Sequence, residues 1–307
     1  MLRIIVVFSL IVLPRLGSAE ITRALVYPDV VDGLAAMQQV YFVNRHFAFD
    51  NIQVGSRSQP VRMILKQENS ISSGNTLVRS LNNRPSKDTI SFQDKVYFPS
   101  GKVKGTAILV VGYRDKAASY SIWLPALRKV RRIAEPAHDD RWGGSPLTYG
   151  DIYFRKPSHE RHELLATESF APCLDALELD DGDISRIRQQ PPARSCYPQG
   201  RTIYRVKSST TFDNWWYDYR IVSIDKESFA DYRSDYFKDD RLVKRIDKDW
   251  RPLAGHDPRA VLWHYWFAED YVTGQRAIGY LELEGVQWNQ EVDPRQWTER
   301  ALRKIKS

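Results

Sequence analysis

The fold of this chain is decided by residues 120–151, which read YSIWLPALRKVRRIAEPAHDDRWGGSPLTYGD. Tyr120, Ile122 and Leu124 alternate with the residues between them, and this period of two is typical of a β-strand. Proline has no backbone N–H, so Pro125 indicates the end or the edge of that strand. A basic run, RKVRR, follows, and the stretch closes in glycine-rich sequence. These features predict a sheet surface with a basic rim, and none of them is typical of a catalytic motif.

The first 19 residues predict export. Arg3 precedes an apolar run at 4–13, and small residues at 17–19 suit cleavage by a signal peptidase near Ala19. The run is too short to span a bilayer, and the proline and arginine at 14–15 interrupt it before a stop-transfer pattern forms. No cysteine follows the run to accept a lipid. We therefore expect residues 1–19 to be a cleaved signal peptide and the mature protein to be periplasmic.

Composition and charge favour a soluble, strand-rich protein. The chain has 307 residues, a net charge of +7 and 12% aromatic residues, including nine tryptophans and sixteen tyrosines, and such aromatic content favours strands. Acidic and basic residues are mixed at 233–235 and 244–249, which predicts a solvated surface of mixed sign and no nucleic-acid groove. Residues 20–307 are long enough for one large β domain or two smaller ones, and we expect a single domain.

The first half predicts a helix followed by antiparallel strands. Asp29 is a suitable cap for a helix at 30–43. The residues that recur on one face of that helix are Val30, Leu34, Met37 and Tyr41. Alternating segments predict strands at 47–54, 61–67, 89–98, 104–113 and 119–124. The interval 67–86 is polar and rich in Ser and Asn, so it is interpreted as a mobile loop that is either a flap or an inert insertion.

The second half repeats the strand pattern. Segments 232–238 and 242–249 flank a polar turn at Asp239-Asp240, which predicts a hairpin. Segment 261–267 is apolar at nearly every position, so both faces of that strand are expected to be covered. In segment 276–284 the side chains alternate between the two faces of a predicted strand, and one face is apolar and includes small residues. The residues of this lightly built face are Ala277, Gly279, Leu281 and Leu283.

The order of these landmarks resembles the outer-membrane lipoprotein-sorting (LolA-like) family. Members carry a strand ending in Leu/Tyr-x-Pro, then an R-x-x-R element, then G-S-x-x-x-Y-x-D. The matching positions here are 123–125, Arg128 with Arg131, and Gly144, Ser145, Tyr149 and Asp151. The family's later W-Y strand and its Tyr-to-Lys hairpin correspond to 216–223 and 236–244. This chain departs from the pattern at Pro146 and Gly150, where members usually carry acidic residues, and in its two cysteines.

The resemblance extends to the C-terminus, where family members have an aspartate, an aromatic residue and a final basic amphipathic helix. Asp293, Pro294 and Gln296 form a suitable helix start. A helix is therefore predicted over 294–306. The residues on its apolar face are Trp297, Ala301 and Ile305.

The resemblance implies a mainly β fold, in which a strongly curved antiparallel sheet, an incomplete barrel, holds acyl chains under a helical lid. It further implies a non-enzymatic carrier without a cofactor that sequesters lipid or lipoprotein acyl chains. Its partners would be an inner-membrane transporter of the resistance-nodulation (RND) type or an outer-membrane acceptor. The alternative from another class is an accessory module that docks onto a membrane complex without carrying lipid, and an enzyme ranks third.

Alternation identifies candidate ligand-binding residues, although it does not say which sheet face is concave. The candidates for the cavity wall are Tyr120, Ile122 and Leu124 on one strand and Ala277, Gly279, Leu281 and Leu283 on another. Val30, Leu34, Met37 and Tyr41 would form the underside of the lid. Arg128 and Arg131 are candidates for a lipid phosphate or carboxylate at the rim. A dry core without ligand is the competing interpretation at each apolar position.

Cys173 and Cys196 are the two cysteines of the chain. In an oxidising compartment the default prediction is a disulfide, with buried free thiols as the alternative. By the chain-entropy estimate the bond would contribute about 3 kcal/mol. It would also hold the polar insertion between the cysteines onto the sheet.

Three motifs are weak candidates for other chemistry. Residues 143–147 begin like a nucleophile elbow, but Leu147 replaces the final glycine. His159 and His162 offer metal ligands, yet a solvated surface segment is favoured over zinc. Residues 180–183 lack the spaced oxygens of a calcium loop and are interpreted as an exposed acidic turn. We therefore predict neither a metal nor a catalytic residue.

Overall fold

The computed structural model describes residues 21, 23–152, 155–253 and 255–304. The predicted signal peptide at 1–19 lies outside these residues. Within the described part of the chain, no helix is both long and apolar enough to cross a membrane.

Strands dominate the structure. The α-helices are α1 (Gly33–Asn44), α2 (Tyr149–Ile152), α3 (Asp181–Ile187) and α4 (Glu299–Leu302). Short 3-10 helices occupy Pro125–Leu127, Pro157–His159, Leu283–Gly285 and Pro294–Trp297. The strands of the first half are β1 (Asn51–Val54), β2 (Arg62–Gln67), β3 (Ser70–Ser73), β4 (Val78–Asn82), β5 (Ile90–Tyr97), β6 (Ala107–Tyr113), β7 (Ser119–Leu124) and β8 (Lys129–Ile133). Those of the second half are β9 (Glu160–Ser169), β10 (Thr202–Thr210), β11 (Tyr219–Asp225), β12 (Asp231–Lys238), β13 (Arg241–Pro252), β14 (Val261–Asp270), β15 (Gln275–Tyr280) and β16 (Gln287–Trp288).

The described strands form two antiparallel sheets. The small sheet has the order β16-β1-β4-β5-β6-β7-β8, and the large sheet has the order β3-β2-β15-β14-β13-β12-β11-β10-β9. The mainly β antiparallel prediction is confirmed, and neither sheet closes into a barrel. The expected curved surface is divided between two sheets because β2 pairs with the late strand β15 instead of β1, and β3 pairs with β2 at the edge of the same sheet.

The two sheets share an apolar core where their inner faces meet. Ile52 and Leu81 of the small sheet pack in one cluster with Leu262 of β14 and with Leu281, which directly follows β15. Helix α1 covers the inner face of the large sheet next to this cluster, where Met37 and Phe42 join a second cluster. Burial of these apolar side chains supplies the main stabilising term for the arrangement.

Helix α1 begins later than the sequence predicts. Asp32, and not Asp29, accepts a hydrogen bond from Ala35 N and caps the helix. Its first residue, Gly33, lies so close to β9 that a Cβ would stand 2.8 Å from Glu163 N. Glycine is therefore required where the helix meets the sheet, and Val30 falls outside the helix.

The polar interval 67–86 is not the predicted mobile loop. It contains β3, which pairs with β2, and β4, which pairs with both β1 and β5. The prediction was wrong because β3 reads Ser-Ile-Ser-Ser and β4 carries Arg, Ser and Asn, so neither strand shows an apolar alternation in the sequence.

The cysteines form the predicted disulfide, Cys173–Cys196. It holds the insertion of residues 170–199 on the outer face of the large sheet. Leu174 and Phe170 of the insertion are buried, and Ser195 Oγ donates a hydrogen bond to Asp249 on β13 at 2.8 Å. The acidic segment 180–183 starts α3 instead of forming an exposed turn, since Asp180 caps the helix and Asp183 pairs with Lys66.

The C-terminal segment covers the outer face of the small sheet. Trp297 and Leu302 are buried against Tyr97 and Leu109. Asp293 caps this segment as predicted, but the expected continuous helix is broken at Thr298, which is extended and caps α4. Threonine competes for backbone N–H groups and so favours a helix start over a helix interior. Ile305 lies outside the described residues.

Candidate functional site

A hollow opens between the inner faces of the two sheets. It encloses about 730 Å³ up to and including its mouth. Its wall is apolar apart from Arg79. The residues that line it are Val61, Met63, Leu77, Arg79, Val96, Phe98, Ile108, Trp142, Leu147, Ile152, Trp263, Trp266 and Gly279. This space is called the hollow below.

Strand register explains which side chains reach the hollow. On the large sheet, Met63, Gly279 and Trp266 are directly opposite one another on adjacent strands. On the small sheet, Val96 is likewise opposite Ile108. Directly opposite residues in an antiparallel sheet point to the same face, so each row forms a continuous stripe of the wall.

Gly279 leaves a gap in its row. A Cβ built there would have Arg62 O, at 3.9 Å, as its nearest neighbour, which is ordinary contact distance. The residue does not have a positive φ, so no backbone conformation demands glycine. Part of the hollow therefore exists because this position lacks a side chain.

The charge in the wall is neutralised locally. Arg79 donates two hydrogen bonds to Asp94 of the neighbouring strand, from Nη2 at 2.7 Å and from Nε at 3.1 Å. Both side chains are largely buried. A bidentate pair of this kind lets an otherwise apolar wall carry an arginine without an unpaired charge.

A second, smaller cavity lies between α1 and the large sheet. It is called the polar chamber below, because charged side chains dominate its wall. The residues that line it are Met37, Val40, Tyr41, Asn44, Gly150, Asp151, Arg155, Pro157, Glu160, Arg220, Asp231, Ser234, Tyr236, Ile246 and Lys248.

Three buried ion pairs organise the polar chamber. Arg220 donates two hydrogen bonds to Glu160, from Nε at 2.9 Å and from Nη2 at 2.8 Å. Lys248 Nζ donates to Asp231 at 2.6 Å. Behind the wall, Lys244 Nζ donates to Asp151 at 2.7 Å. Charges removed from water need such close partners, and each of these carboxylates has one.

Tyrosine hydroxyl groups and an amide group also donate hydrogen bonds to the same carboxylates. Tyr217 OH donates to Glu160 at 3.0 Å, and Tyr236 OH donates to Asp151 at 2.8 Å. Asn44 Nδ2 donates to Asp231 at 2.9 Å. The acids of the chamber are therefore held in fixed positions by several donors each.

These contacts set the protonation states. Burial alone would raise the pKa of Asp151 and of Glu160, but the neighbouring cations hold both pKa values below their ordinary range. For Asp151 the main cations are Lys244 and Arg155. Burial lowers the pKa of Lys244 and of Lys248. Asp151 and Glu160 are thus ionised at neutral pH.

The polar chamber and the hollow are neighbours. Lys248 is directly opposite Trp266, and its Nζ stands 4.1 Å from the centroid of that ring. Asp151 lines the chamber, and the next residue, Ile152, lines the hollow. One apolar space and one charged space therefore share a wall on the same face of the large sheet.

The candidate residues on β7 lie on the inner face of the small sheet. Ile122 is directly opposite Ile108, which lines the hollow, and Tyr120 and Leu124 share that face by alternation. None of the three is among the residues that line the hollow itself. Their contact with a ligand stays a prediction.

The two candidate arginines lie beside this strand. Arg131 is directly opposite Ile122 on β8 and is exposed. Arg128 is also exposed and follows the turn Pro125–Leu127 in a left-handed conformation. Both are placed at a rim, and their role toward a headgroup stays a prediction.

The candidates at 277–283 divide between two environments. Gly279 lines the hollow, and Ala277 is buried beside it in the same strand. The strand ends at Tyr280, so Leu281 and Leu283 lie beyond it, in the closed cluster around Ile52. The prediction of a strand over 276–284 was too long at its end.

The candidates on α1 also divide. Met37 and Tyr41 line the polar chamber. Val30 and Leu34 are 84% and 47% exposed, so they do not face the large sheet. Val30 precedes the helix, which begins at Gly33, and Leu34 lies in the first turn of the helix on its exposed side.

The charged residues of the chamber were missed by the sequence interpretation. Residues 244–249 were interpreted as part of a solvated surface, but Lys244, Asp247, Lys248 and Asp249 are buried. The strand period places Lys244 and Lys248 on one face, toward the chamber, and Asp247 and Asp249 on the other, where they accept hydrogen bonds from Asp175 and Ser195 of the insertion. Glu160, in a segment interpreted as solvated, is 6% exposed.

The weaker motifs have structural roles. Ser145 Oγ donates to Trp142 O at 2.7 Å within a turn. His162 has both ring nitrogens engaged, by Ser208 Oγ and Pro157 O at 2.8 Å each. Across the described residues, no group of three or more His, Cys, Asp or Glu side chains is placed to hold a metal ion.

Comparisons with known proteins identify the fold. A family profile described as "uncharacterized protein" matches residues 93–175. The chain resembles a putative outer membrane lipoprotein-sorting protein domain from Vibrio parahaemolyticus at 16% identity and a TM-score of 0.62, covering 88% of this chain and 98% of that one. A DUF1329 family protein from Desulfovibrio piger gives 15% identity and 0.62, covering 89% and 100%. A search of curated protein sequences finds no match.

A third solved structure, a LolA superfamily protein from Nitrosomonas europaea, matches at 12% identity and a TM-score of 0.52, covering 89% of this chain and 100% of that one. Over nearly its whole described length, the chain therefore has a fold of the LolA type. The resemblance inferred from the sequence motifs is confirmed at the level of the fold.

Proposed function

We propose that this protein is a periplasmic binding protein that sequesters the acyl chains of a lipid or lipoprotein in the hollow between its two sheets. The observation that carries the proposal is the lining of the hollow, in which Arg79 is the one charged residue and is neutralised by Asp94. Pockets that bind small ligands are lined mainly by apolar and aromatic side chains with a few polar groups, and the wall of the hollow has this composition.

Binding in such a space needs no catalytic group. Each methylene group moved from water into an apolar site gains about 0.8 kcal/mol, so acyl chains bind through transfer of their surface. Two tryptophans, Trp263 and Trp266, supply large apolar faces to the wall. We therefore assign a non-catalytic role, and the LolA-type fold supports it.

Release requires a partner, because a ligand held by transfer of apolar surface leaves slowly. A partner that binds the emptied or opened protein more tightly than the loaded one would drive release. By analogy with the fold family, we propose an inner-membrane transporter or an outer-membrane acceptor in that role. This analogy belongs to the fold and names no particular partner.

The test is native mass spectrometry of the protein isolated from the periplasm, followed by solvent extraction and lipid analysis. We expect an acyl-containing ligand at a stoichiometry of one that is lost on extraction. A protein that carries no acyl ligand and takes up none from vesicles would contradict the proposal. That result would instead support the accessory module that docks onto a membrane complex.

A further inference from the structure

The geometry points to the polar chamber as the site of an anionic headgroup, a carboxylate or a phosphate, whose acyl chain lies in the adjacent hollow. Arg155 is the residue that would bind it. The inference deepens the proposed function and rests on it, since it names the class of amphiphile that the hollow receives.

The first step is a surplus of positive charge. The charged side chains that line the chamber, taken with Lys244 behind its wall, comprise four cations and three carboxylates. Glu160, Asp231 and Asp151 each have a close cation in Arg220, Lys248 and Lys244. Arg155 is the cation that remains, and its shortest distance to a carboxylate is 3.8 Å, from Nη2 to Asp151 Oδ1.

The second step is the set of unused donors on Arg155. Its side chain is 2% exposed, so water does not solvate it freely. Nε and Nη2 are buried and have no hydrogen-bond partner among the described residues. Buried N–H groups are nearly always paired in native proteins, so unpaired donors beside a cavity indicate a missing acceptor.

The carboxylates of the chamber do not supply that acceptor, because the nearest carboxylate oxygen, Asp151 Oδ1, is 3.8 Å from Arg155 Nη2, beyond hydrogen-bond distance. Glu160 already accepts bonds from Arg220 and Tyr217, and Asp151 accepts bonds from Lys244 and Tyr236. The rings of Tyr217 and Tyr236 stand 5.0 and 6.0 Å from the guanidinium carbon of Arg155, which gives it cation–π contacts but no acceptor oxygen.

Within the described residues, Arg45 has similarly buried and unpaired nitrogen atoms, but its surroundings differ from those of Arg155. Nε and Nη2 of Arg45 are also buried without partners in the described structure. That guanidinium, however, stacks on Phe92 at 3.9 Å and lines neither the hollow nor the chamber. Arg155 combines unused donors with an adjacent cavity, and arginine's planar fork fits the two oxygens of a carboxylate or a phosphate.

The position of the chamber explains why the anion belongs to an amphiphile. Lys248 and Trp266, and likewise Asp151 and Ile152, mark the shared wall of the charged and the apolar space. A ligand that spans this wall places its headgroup beside Arg155 and its chain along Trp266. Helix α1 roofs the chamber through Met37 and Tyr41, so the headgroup enters when that helix moves.

The experiment compares three ligands with the same chain: dodecanoate, dodecyl phosphate and 1-dodecanol, titrated calorimetrically into the mature protein. We expect the two anions to bind at least about tenfold more tightly than the alcohol, because hydrogen bonds to charged groups contribute more than neutral ones. Arg155→Met should reduce both anions to the affinity of the alcohol and leave the alcohol unchanged. Arg186→Met, which removes an exposed arginine of α3 on the outer face, should behave like the wild type.

The outcomes separate the inference from the proposed function. If none of the three ligands binds, the proposed function fails and the inference fails with it. If all three bind the wild type equally, the proposed function stands and the inference is overturned. If acetate or inorganic phosphate binds as tightly as its dodecyl counterpart, the chamber is a site for free anions and the amphiphile is excluded.

Two further measurements do not depend on Arg155→Met folding. Arg155→Lys keeps the charge, so it should retain a preference for anions over the alcohol while losing more affinity for dodecyl phosphate than for dodecanoate. With carboxyl-labelled dodecanoate on the wild type, carbon NMR should find the bound carboxyl group ionised at lower pH than the free acid. A bound carboxyl group that takes up its proton at the pH of the free acid, or above it, would overturn the inference.

Discussion

Lys244 Nζ lies 2.7 Å from Asp151 Oδ2, although the two residues are 93 positions apart in the sequence. Both side chains are almost completely buried. The contact fixes helix α2 onto strand β13, and Lys244 Nζ also donates to Pro146 O at 3.2 Å. One ion pair therefore holds the segment that contributes Leu147 and Ile152 to the hollow and Asp151 to the polar chamber.

Substituting one partner of this ion pair should destabilise the protein more than substituting both partners with apolar residues. Asp151→Leu leaves Lys244 as a buried cation without its carboxylate, and Lys244→Met leaves Asp151 without its ammonium group; breaking pairs of this kind costs about 3–5 kcal/mol. In the double variant Asp151→Leu/Lys244→Met both charges are gone, so the loss should be smaller than the sum of the single losses. Urea unfolding at neutral pH measures all the variants. Strictly additive losses would contradict the assignment of a coupled pair.

His46 should make the protein sensitive to mild acid. Burial lowers its pKa to about 3, and Arg79 and Arg45 add to this effect. The unfolded chain takes up a proton near the ordinary value of 6.5, whereas the native state does not. Stability is therefore lost as the pH falls below 6.5, by about 2 kcal/mol from this residue between pH 6.5 and 5.

The variant His46→Asn tests this prediction. Asparagine tolerates the positive φ of 54° at this position and does not take up a proton. Its free energy of unfolding should change between pH 7 and 5 by about 2 kcal/mol less than that of the wild type. His256→Asn, at an exposed position, is the control and should retain the wild-type pH dependence. Equal pH dependence in all three proteins would show that His46 is not responsible.

The disulfide should stabilise the fold without taking part in binding. Cys173 and Cys196 close the insertion that covers the outer face of the large sheet, opposite the hollow. Replacing both cysteines with alanine should lower the free energy of unfolding by about 3 kcal/mol. Dodecanol affinity, measured under conditions where the variant remains folded, should be unchanged. A loss of affinity in folded protein would mean that the insertion shapes the hollow.

The sequence predicted the strands whose alternation is apolar and missed features that depend on distant contacts. Strand β7 and the hairpin of β12 and β13 were predicted because each carries its own period and turn, with Asp239 and Asp240 both at positive φ. The division into two sheets was not predictable, since the pairing of β2 with β15 joins segments about 200 residues apart.

The polar chamber was missed for a related reason. Glu160 and Arg220 form a buried pair across 60 residues, and each appears in the sequence as an ordinary surface charge. The helix start was misjudged by three residues because Asp29 and Asp32 are both suitable caps, and the close approach of Gly33 to β9 selects the second. Tertiary contact, and not local preference, decided both features.

Helix α1 should be the segment whose amide exchange changes most on ligand binding. The helix covers the polar chamber, and its first turn includes the exposed Leu34. The interval 67–86, in contrast, contributes hydrogen-bonded strands to both sheets. Adding dodecanoate should slow exchange in α1 more than in β4, as followed by hydrogen exchange and mass spectrometry. Exchange that is identical with and without the ligand across both segments would favour the docking module.

Filling the hollow from Gly279 tests the central claim most directly. A leucine there has room at its Cβ and would project into the apolar space between the sheets, so Gly279→Leu should fold with at least wild-type stability. Gly255→Leu, at an exposed position with similar room, is the matched control. The measurement is the calorimetric affinity for 1-dodecanol, which has no charged headgroup. The account predicts that Gly279→Leu loses at least about tenfold in affinity while Gly255→Leu loses none; unchanged affinity in a folded Gly279→Leu protein would contradict it.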